Sequence, residues 1–145
     1  MTLKPTLWTT PLHLANKPCG GLRCCGDFRL LNQKTQLDQY PLPHIQKFTH
    51  ELHGAKIFSK VDIKKAYHHV EVHPNDRHKT AVLTPWGCFQ FVKMPMGLSN
   101  ASQSYQRYMN AVLDGVKGVY CLYLYLYLYF PAILNTYTYV SYLKE

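Results

Sequence analysis

Acidic side chains are the scarcest chemistry in this chain. Asp and Glu together number eight, against sixteen Lys and Arg in 145 residues, which leaves a formal charge of +8. That imbalance favours a polyanionic partner, and nucleic acid is the natural candidate, because basic surface releases counterions from phosphates on binding. The chain also lacks an even set of cysteines. Five are present, at 19, 24, 25, 88 and 121. With no apolar run of signal-peptide length in "MTLKPTLWTT", the odd count predicts reduced thiols in an intracellular compartment rather than a disulfide framework. Disorder is excluded by a hydrophobic content of 47%, ample for one domain with its own core.

Charge disappears altogether from Gly118 to Leu143. The length alone would suit a membrane span. Pro131, Asn135 and the many Tyr and Thr argue against one, because their polar groups are costly in hydrocarbon. Within this stretch "CLYLYLYLYF" alternates Leu and Tyr, a low-complexity pattern onto which no fold is forced here. Several site patterns are missing as well. His68, His69 and His73 with Cys24 and Cys25 match no common zinc spacing. "CGGLRCCG" is not a redox Cys-x-x-Cys pair, "NKPCGGLR" lacks the strand–loop–helix context of a phosphate-cradling Gly loop, and no Gly-x-Ser-x-Gly elbow occurs.

What is present reads as an α+β fold. "WTTPLHLA" and "GLRCCGDF" flank the turn-rich "NKPCGG" as a hairpin with basic residues near its tip. "PLPHIQKFTHELHG" predicts a helix, with Ile45, Phe48 and Leu52 on one face and Gly54 to end it. "AKIFSKVDI" carries strand-forming residues, and "HHVEVHP" alternates Val70 and Val72 with polar neighbours, the period of a half-buried strand. Two more strands join through Pro85–Gly87. "SNASQSYQRYMNAVLDG" predicts a second helix, capped by Ser99 or Asn100, with Tyr105, Met109, Val112 and Leu113 as its apolar face and Gly115 closing it. Antiparallel strands with helices gathered on one side complete the layer architecture.

The most informative stretch is "FSKVDIKKAYHH". A carboxylate at a strand end beside basic residues, as Asp62 stands beside Lys64 and Lys65, can hold a divalent cation that meets a phosphate. Taken alone, a solvated Asp paired with a neighbouring Lys explains it equally well. The wider context does more. "GLRCCGDFRLLNQKT", "YPLPHIQKF", "LHGAKIFSKVDIKKAYHHVEV" and "KTAVLTPWGCFQFVKMPMGLSNASQSYQRYMN" occur together and in this order. The chain thereby resembles, from about Trp8 to about Tyr120, the fingers and palm of a reverse transcriptase of the kind encoded by gypsy-type LTR retrotransposons.

That resemblance implies a fingers-like segment over 1–42, a palm segment over 43–120 with fingers strands and turns around 74–92, and a tail, 121–145, of unassigned fold. It implies that Asp62 is the first catalytic carboxylate and a Mg²⁺ ligand, with the Ile63 backbone carbonyl beside it. Lys65 and Ala66 match positions whose backbone meets the deoxynucleoside triphosphate, and Tyr67 matches the aromatic that rejects a 2′-hydroxyl by steric exclusion. Arg23 matches the fingers Arg that grips the incoming phosphates, with Lys17 near the matching Lys. Met96 and Gly97 match the loop against the templating base pair. Met96, Ser102 and His69 depart from the residues usual there. A template–primer of RNA or DNA is the implied partner.

The implied chemistry then meets the shortage with which the chain opened. Two metal ions about 4 Å apart need more than one carboxylate. The family supplies the rest as an adjacent Asp pair in a β-hairpin, in the motif Tyr-x-Asp-Asp, expected just after "LDGVKGVY". Downstream of Asp62 the only acids are Glu71, Asp76, Asp114 and Glu145, none in that hairpin. The Leu–Tyr repeat stands in its place, and the chain stops before the rest of the palm and the thumb. The expectation is a catalytically inactive polymerase fragment, or a basic module that holds nucleic acid without chemistry, or a relic with no function.

Overall fold

The computed structural model describes residues 2–3, 8–18, 20–122 and 124–131. They fold as two compact units, one built from Met1–Pro41 with Lys65–Tyr108 and the other from Leu42–Lys64 with Met109–Glu145.

The first unit is organised by a five-stranded sheet in the order β1-β6-β5-β2-β3. Its strands are β1 (Thr2–Leu3), β2 (Thr10–Asn16), β3 (Leu22–Gly26), β5 (Val82–Thr84) and β6 (Gly87–Gln90). β2 and β3 form the predicted hairpin, closed at its tip by the Lys17 N–H donating to Gly21 O and the Gly20 N–H donating to Lys17 O, each at 3.0 Å. β5 and β6 form the second hairpin. The expected antiparallel order is broken once, where Thr10 and Pro11 of β2 run parallel to Val82 and Leu83 of β5.

The core of this unit is Phe28, Val82 and Phe91, with Leu12, Leu31, Phe89 and Leu98 packed around it. Phe28 meets Phe91 edge to face at 6.2 Å, the geometry that the ring quadrupoles favour. Helix α1 (Arg29–Gln33) follows directly, and Asp27 turns the chain into it by accepting from the Arg29 backbone N–H at 3.1 Å. "HHVEVHP" is not a strand. Ala66–His69 is a 3-10 helix, and Val70–Val72 makes only a short antiparallel bridge to Val92–Met94. Pro74 starts a second 3-10 helix, Pro74–Thr80, and so cuts the run short.

The second unit holds β4 (Ala55–Asp62), β7 (Val119–Leu122) and β8 (Tyr125–Pro131), antiparallel throughout in the order β4-β8-β7. The Leu–Tyr repeat, left without a fold by its composition, therefore supplies most of a central strand and part of an edge strand. Alternation with period two is what a strand requires, and along β8 it puts Tyr125, Tyr127 and Tyr129 on one face and Leu126 and Leu128 on the other. Leu122 of β7, paired with Tyr125, shares the tyrosine face. Gly118 initiates this arrangement: its φ is +77°, and a Cβ there would lie 2.7 Å from Tyr129 O, so only glycine fits.

Helix α2 (Ile45–Glu51) is shorter than its sequence pattern, and it lays Phe48 against Tyr120 and Tyr127 with ring centroids 5.3 and 4.6 Å away. Helix α3 runs over Ala101–Val112, with residues 101–108 in the first unit and 109–112 in the second. Tyr105 and Met109 are buried as the periodicity requires, but Val112 is 53% exposed and does not belong to the apolar face. Residues 132–145, including the remaining Tyr and Thr of the tail, lie outside the described residues.

Candidate functional site

Asp62 is the last residue of β4, exposed at the strand end as the sequence suggested. Its strand partner is Tyr125, the first residue of β8. Leu122 pairs with the same Tyr125, so only residues 123 and 124 connect β7 to β8 in a tight hairpin. Ile63 continues past the strand with its N–H donating to Leu124 O at 3.3 Å. Leu124 is thus held beside the residue that follows the carboxylate.

A metal pair needs converging oxygen ligands, commonly carboxylates. Among the described residues no group of three His, Cys, Asp or Glu comes together to hold a metal ion. A cation lies over the Tyr125 ring instead: Lys60 Nζ sits 3.8 Å from its centroid, a cation–π contact. One carboxylate and one backbone carbonyl, from Asp62 and Ile63, do not fit a two-metal centre. Cys121, the third residue of β7, is buried and pairs with Leu126, on the opposite face from Asp62, and burial pushes its thiol up to about 11.

The other residues singled out in the sequence lie in the first unit. Lys65 opens the 3-10 helix at φ +56°, the one non-glycine positive φ among the described residues. A lysine in the left-handed region costs roughly 1–2 kcal/mol. Ala66 behind it is buried. Tyr67 is fixed twice, its hydroxyl 3.3 Å from Ser102 Oγ and its ring edge-on to Tyr105 at 5.5 Å. Ser102, one of the departures from the family pattern, is thus the residue whose hydroxyl meets Tyr67. Arg23 is exposed on β3 and Lys17 half-buried at the hairpin tip.

Electrostatics sets Lys17, Arg23 and Lys65 apart. All four acids of the first unit are claimed: Asp27 by Arg29 at 2.6 Å, Asp38 by Arg107 at 2.7 Å, Glu71 by Lys93 at 2.7 Å and Asp76 by Lys79 at 2.6 Å. Hydrogen bonds from those cations hold all four carboxyls below their ordinary range, Asp27 at about 2. Lys34 lies over the Trp8 ring and Arg77 Nε donates to Val72 O. Lys17, Arg23 and Lys65 make no ion pair among the described residues, so together with Lys34 and Arg77 they carry the unit's excess positive charge.

Met96 and Gly97 form a loop that the sequence marked, but its support was not foreseen. Asn32, just before the end of α1, donates from Nδ2 to Gly97 O at 2.8 Å and accepts from Ser99 N–H at 2.9 Å. Asn100 does not cap α3 with its side chain; Oδ1 accepts from Asp38 N–H and Nδ2 donates to Gln36 O. Two asparagines thus staple the 97–100 loop to the 32–38 segment. Gly97 carries φ +94° there, a conformation that leaves the position to glycine.

Comparison with known proteins decides the ancestry. Residues 14–130 match the family described as reverse transcriptase (RNA-dependent DNA polymerase). The chain belongs to the reverse transcriptase family. It is 37% identical over 107 residues to the Transposon Tf2-7 polyprotein of Schizosaccharomyces pombe (strain 972 / ATCC 24843), covering 74% of this chain and 8% of that one. The Transposon Tf2-3 polyprotein of the same organism is 36% identical over the same shares. This reverse transcriptase domain thus spans about a twelfth of the curated relatives it matches. Its fold is also that of the prototype foamy virus protease-reverse transcriptase, with a TM-score of 0.76 at 19% identity over 88% of this chain and 17% of that one. A foamy viral protease-reverse transcriptase in complex with an RNA/DNA hybrid gives a TM-score of 0.77 at 17% identity, over 91% of this chain and 18% of that one.

Proposed function

We propose that this chain is the fingers and part of the palm of a gypsy-type retrotransposon reverse transcriptase that holds nucleic acid but does not polymerise. The observation that carries the reading is the strand register: Asp62 stands opposite Tyr125, at the end of a two-residue hairpin with no carboxylate. Nucleotidyl transfer in this family would draw on Mg²⁺ to activate a primer 3′-hydroxyl and to steady the leaving pyrophosphate. Asp62 with the Ile63 carbonyl is too small a ligand set for that work. Neither Leu nor Tyr replaces a carboxylate as a magnesium ligand.

The binding half of the reading rests on charge and placement. Arg23 and Lys17 on the fingers hairpin are the phosphate-gripping cations, and Lys65 and Ala66 present the backbone that a deoxynucleoside triphosphate would meet. Tyr67, held by Ser102 and Tyr105, is the steric selector of the sugar, and Met96–Gly97 faces the templating base. These cations suit a template–primer as partner, since no acid pairs with them among the described residues.

Primer extension with Mg²⁺ and with Mn²⁺, run beside a salt-dependent gel shift, tests both halves. The expected result is no extension, together with binding that weakens steeply as salt rises. Extension that disappears on Asp62→Ala would overturn the loss of catalysis. Binding indifferent to salt would overturn the nucleic-acid reading.

A further inference from the structure

One face of the β4-β8-β7 sheet has a composition that neither core packing nor metal chemistry accounts for. Residues 58, 60 and 62 of β4 share it with residues 125, 127 and 129 of β8, because paired residues of antiparallel strands point the same way. It therefore reads Phe58, Lys60, Asp62 on one strand and Tyr129, Tyr127, Tyr125 on the next. Phe48 covers the Tyr127 part of the face together with Tyr120. Phe58 stays 54% exposed and Tyr125 36% exposed, on either side of Lys60, whose ammonium rests on the Tyr125 ring.

Each alternative occupant conflicts with this surface. A second apolar protein face would bury the Lys60 ammonium and the Asp62 carboxylate, at a desolvation cost of several kcal/mol per ion. A lipid surface meets the same obstacle. Unpaired nucleic acid suits the rings and the lysine, and leaves the exposed Asp62 carboxylate at the strand end in water. Nucleobases have π-faces that stack on Phe and Tyr whatever the sequence, and the phosphate between them takes a lysine. Phe58 and Tyr125 lie about 13 Å apart along the sheet by strand rise, with Lys60 between them. A duplex would not do, since its base faces are already stacked on one another.

We propose that Phe58, Lys60 and Tyr125 form a metal-independent stacking platform for single-stranded nucleic acid. The platform rests on the reading of the chain as a nucleic-acid-binding module and adds to it a strandedness and a set of contacts. Tyr125 and Phe58 each take a base, and Lys60 exchanges its contact with the Tyr125 ring for the phosphate. The Leu–Tyr repeat is what creates the platform, by placing an aromatic ring opposite Asp62.

The test uses the whole chain in EDTA with two fluorescent probes, an oligothymidylate of roughly 15 nucleotides and a blunt duplex of the same length. Tyr125→Ala and Phe58→Ala are expected to weaken oligothymidylate binding about fivefold or more each, with duplex binding unchanged. Tyr125→Phe keeps the ring and should keep the affinity. Lys60→Ala should reduce the slope of log K against log salt by about 0.7. Equal affinity of wild type, Tyr125→Ala and Phe58→Ala for the single strand, with both probes still bound, would overturn the platform alone. Loss of single-strand binding in EDTA would also overturn it. If neither probe binds the wild type at low salt, the module reading falls with it. Because both aromatic positions are exposed, an unchanged thermal transition accompanies a true platform defect.

Discussion

Replacing Asn32 by alanine tests whether the loop at Met96–Gly97 is held by its side-chain amide. The native amide makes two bonds, donating to Gly97 O at 2.8 Å and accepting from Ser99 N–H at 2.9 Å. A net contribution near 1 kcal/mol for each bond, in a half-buried setting, gives a loss of about 2 kcal/mol. For a chain of this size that is a fall in Tm of roughly 8 °C, or about 1 M in the urea midpoint. Asn100→Ala removes the second staple, to Asp38 N–H and Gln36 O. Because both staples close the same loop, the double variant should lose less than the sum of the singles, by about 0.5 kcal/mol or more. Urea unfolding followed by circular dichroism measures all three. An Asn32→Ala midpoint within about 0.3 kcal/mol of wild type would refute the staple and leave the loop positioned by Phe28 and Leu98 packing alone.

Two further outcomes follow from the first unit. Lys65→Gly removes a Cβ from the left-handed region and should raise stability by about 1 kcal/mol in the same urea assay; a loss would mean that the lysine side chain stabilises the turn. Asp27, Asp38, Glu71 and Asp76 all bind protons less tightly folded than unfolded. Their contribution is thus complete above about pH 4.5 and is lost as pH falls through the lowered values toward about 2. Stability measured across that window should decline with acidification, less steeply at high salt because these pairs are solvent-facing. A flat profile would contradict the four pairings.

Much of the secondary structure was legible because it depends on local pattern. The β2–β3 hairpin follows from the glycines at its tip, β4 from strand-forming residues, and α3 from apolar spacing with Tyr105 and Met109 inward. Failures came where local pattern competes with something nonlocal. The alternation in "HHVEVHP" loses to Pro74, which opens a 3-10 helix one residue later. Val112 fits the apolar spacing of α3 and is nonetheless exposed, because spacing cannot say where a neighbouring element ends. Asn32 and Asn100 gave no signal, since an amide's partners 62 to 67 residues away leave no mark on its own neighbours.

By itself the sequence determined the family, the excess of positive charge, the carboxylate at 62 and the lack of any acid between Tyr120 and Lys144. These are properties of composition and order, which survive without coordinates. Only the tertiary structure decided that the Leu–Tyr repeat is a strand pair rather than a structureless tail, that Tyr125 falls opposite Asp62, and that Lys60 lies on its ring. Register decides these facts. A one-residue slip in antiparallel pairing would turn every tyrosine to the opposite face, and nothing in an alternating repeat chooses between the two registers until β4 and Gly118 hold it in place.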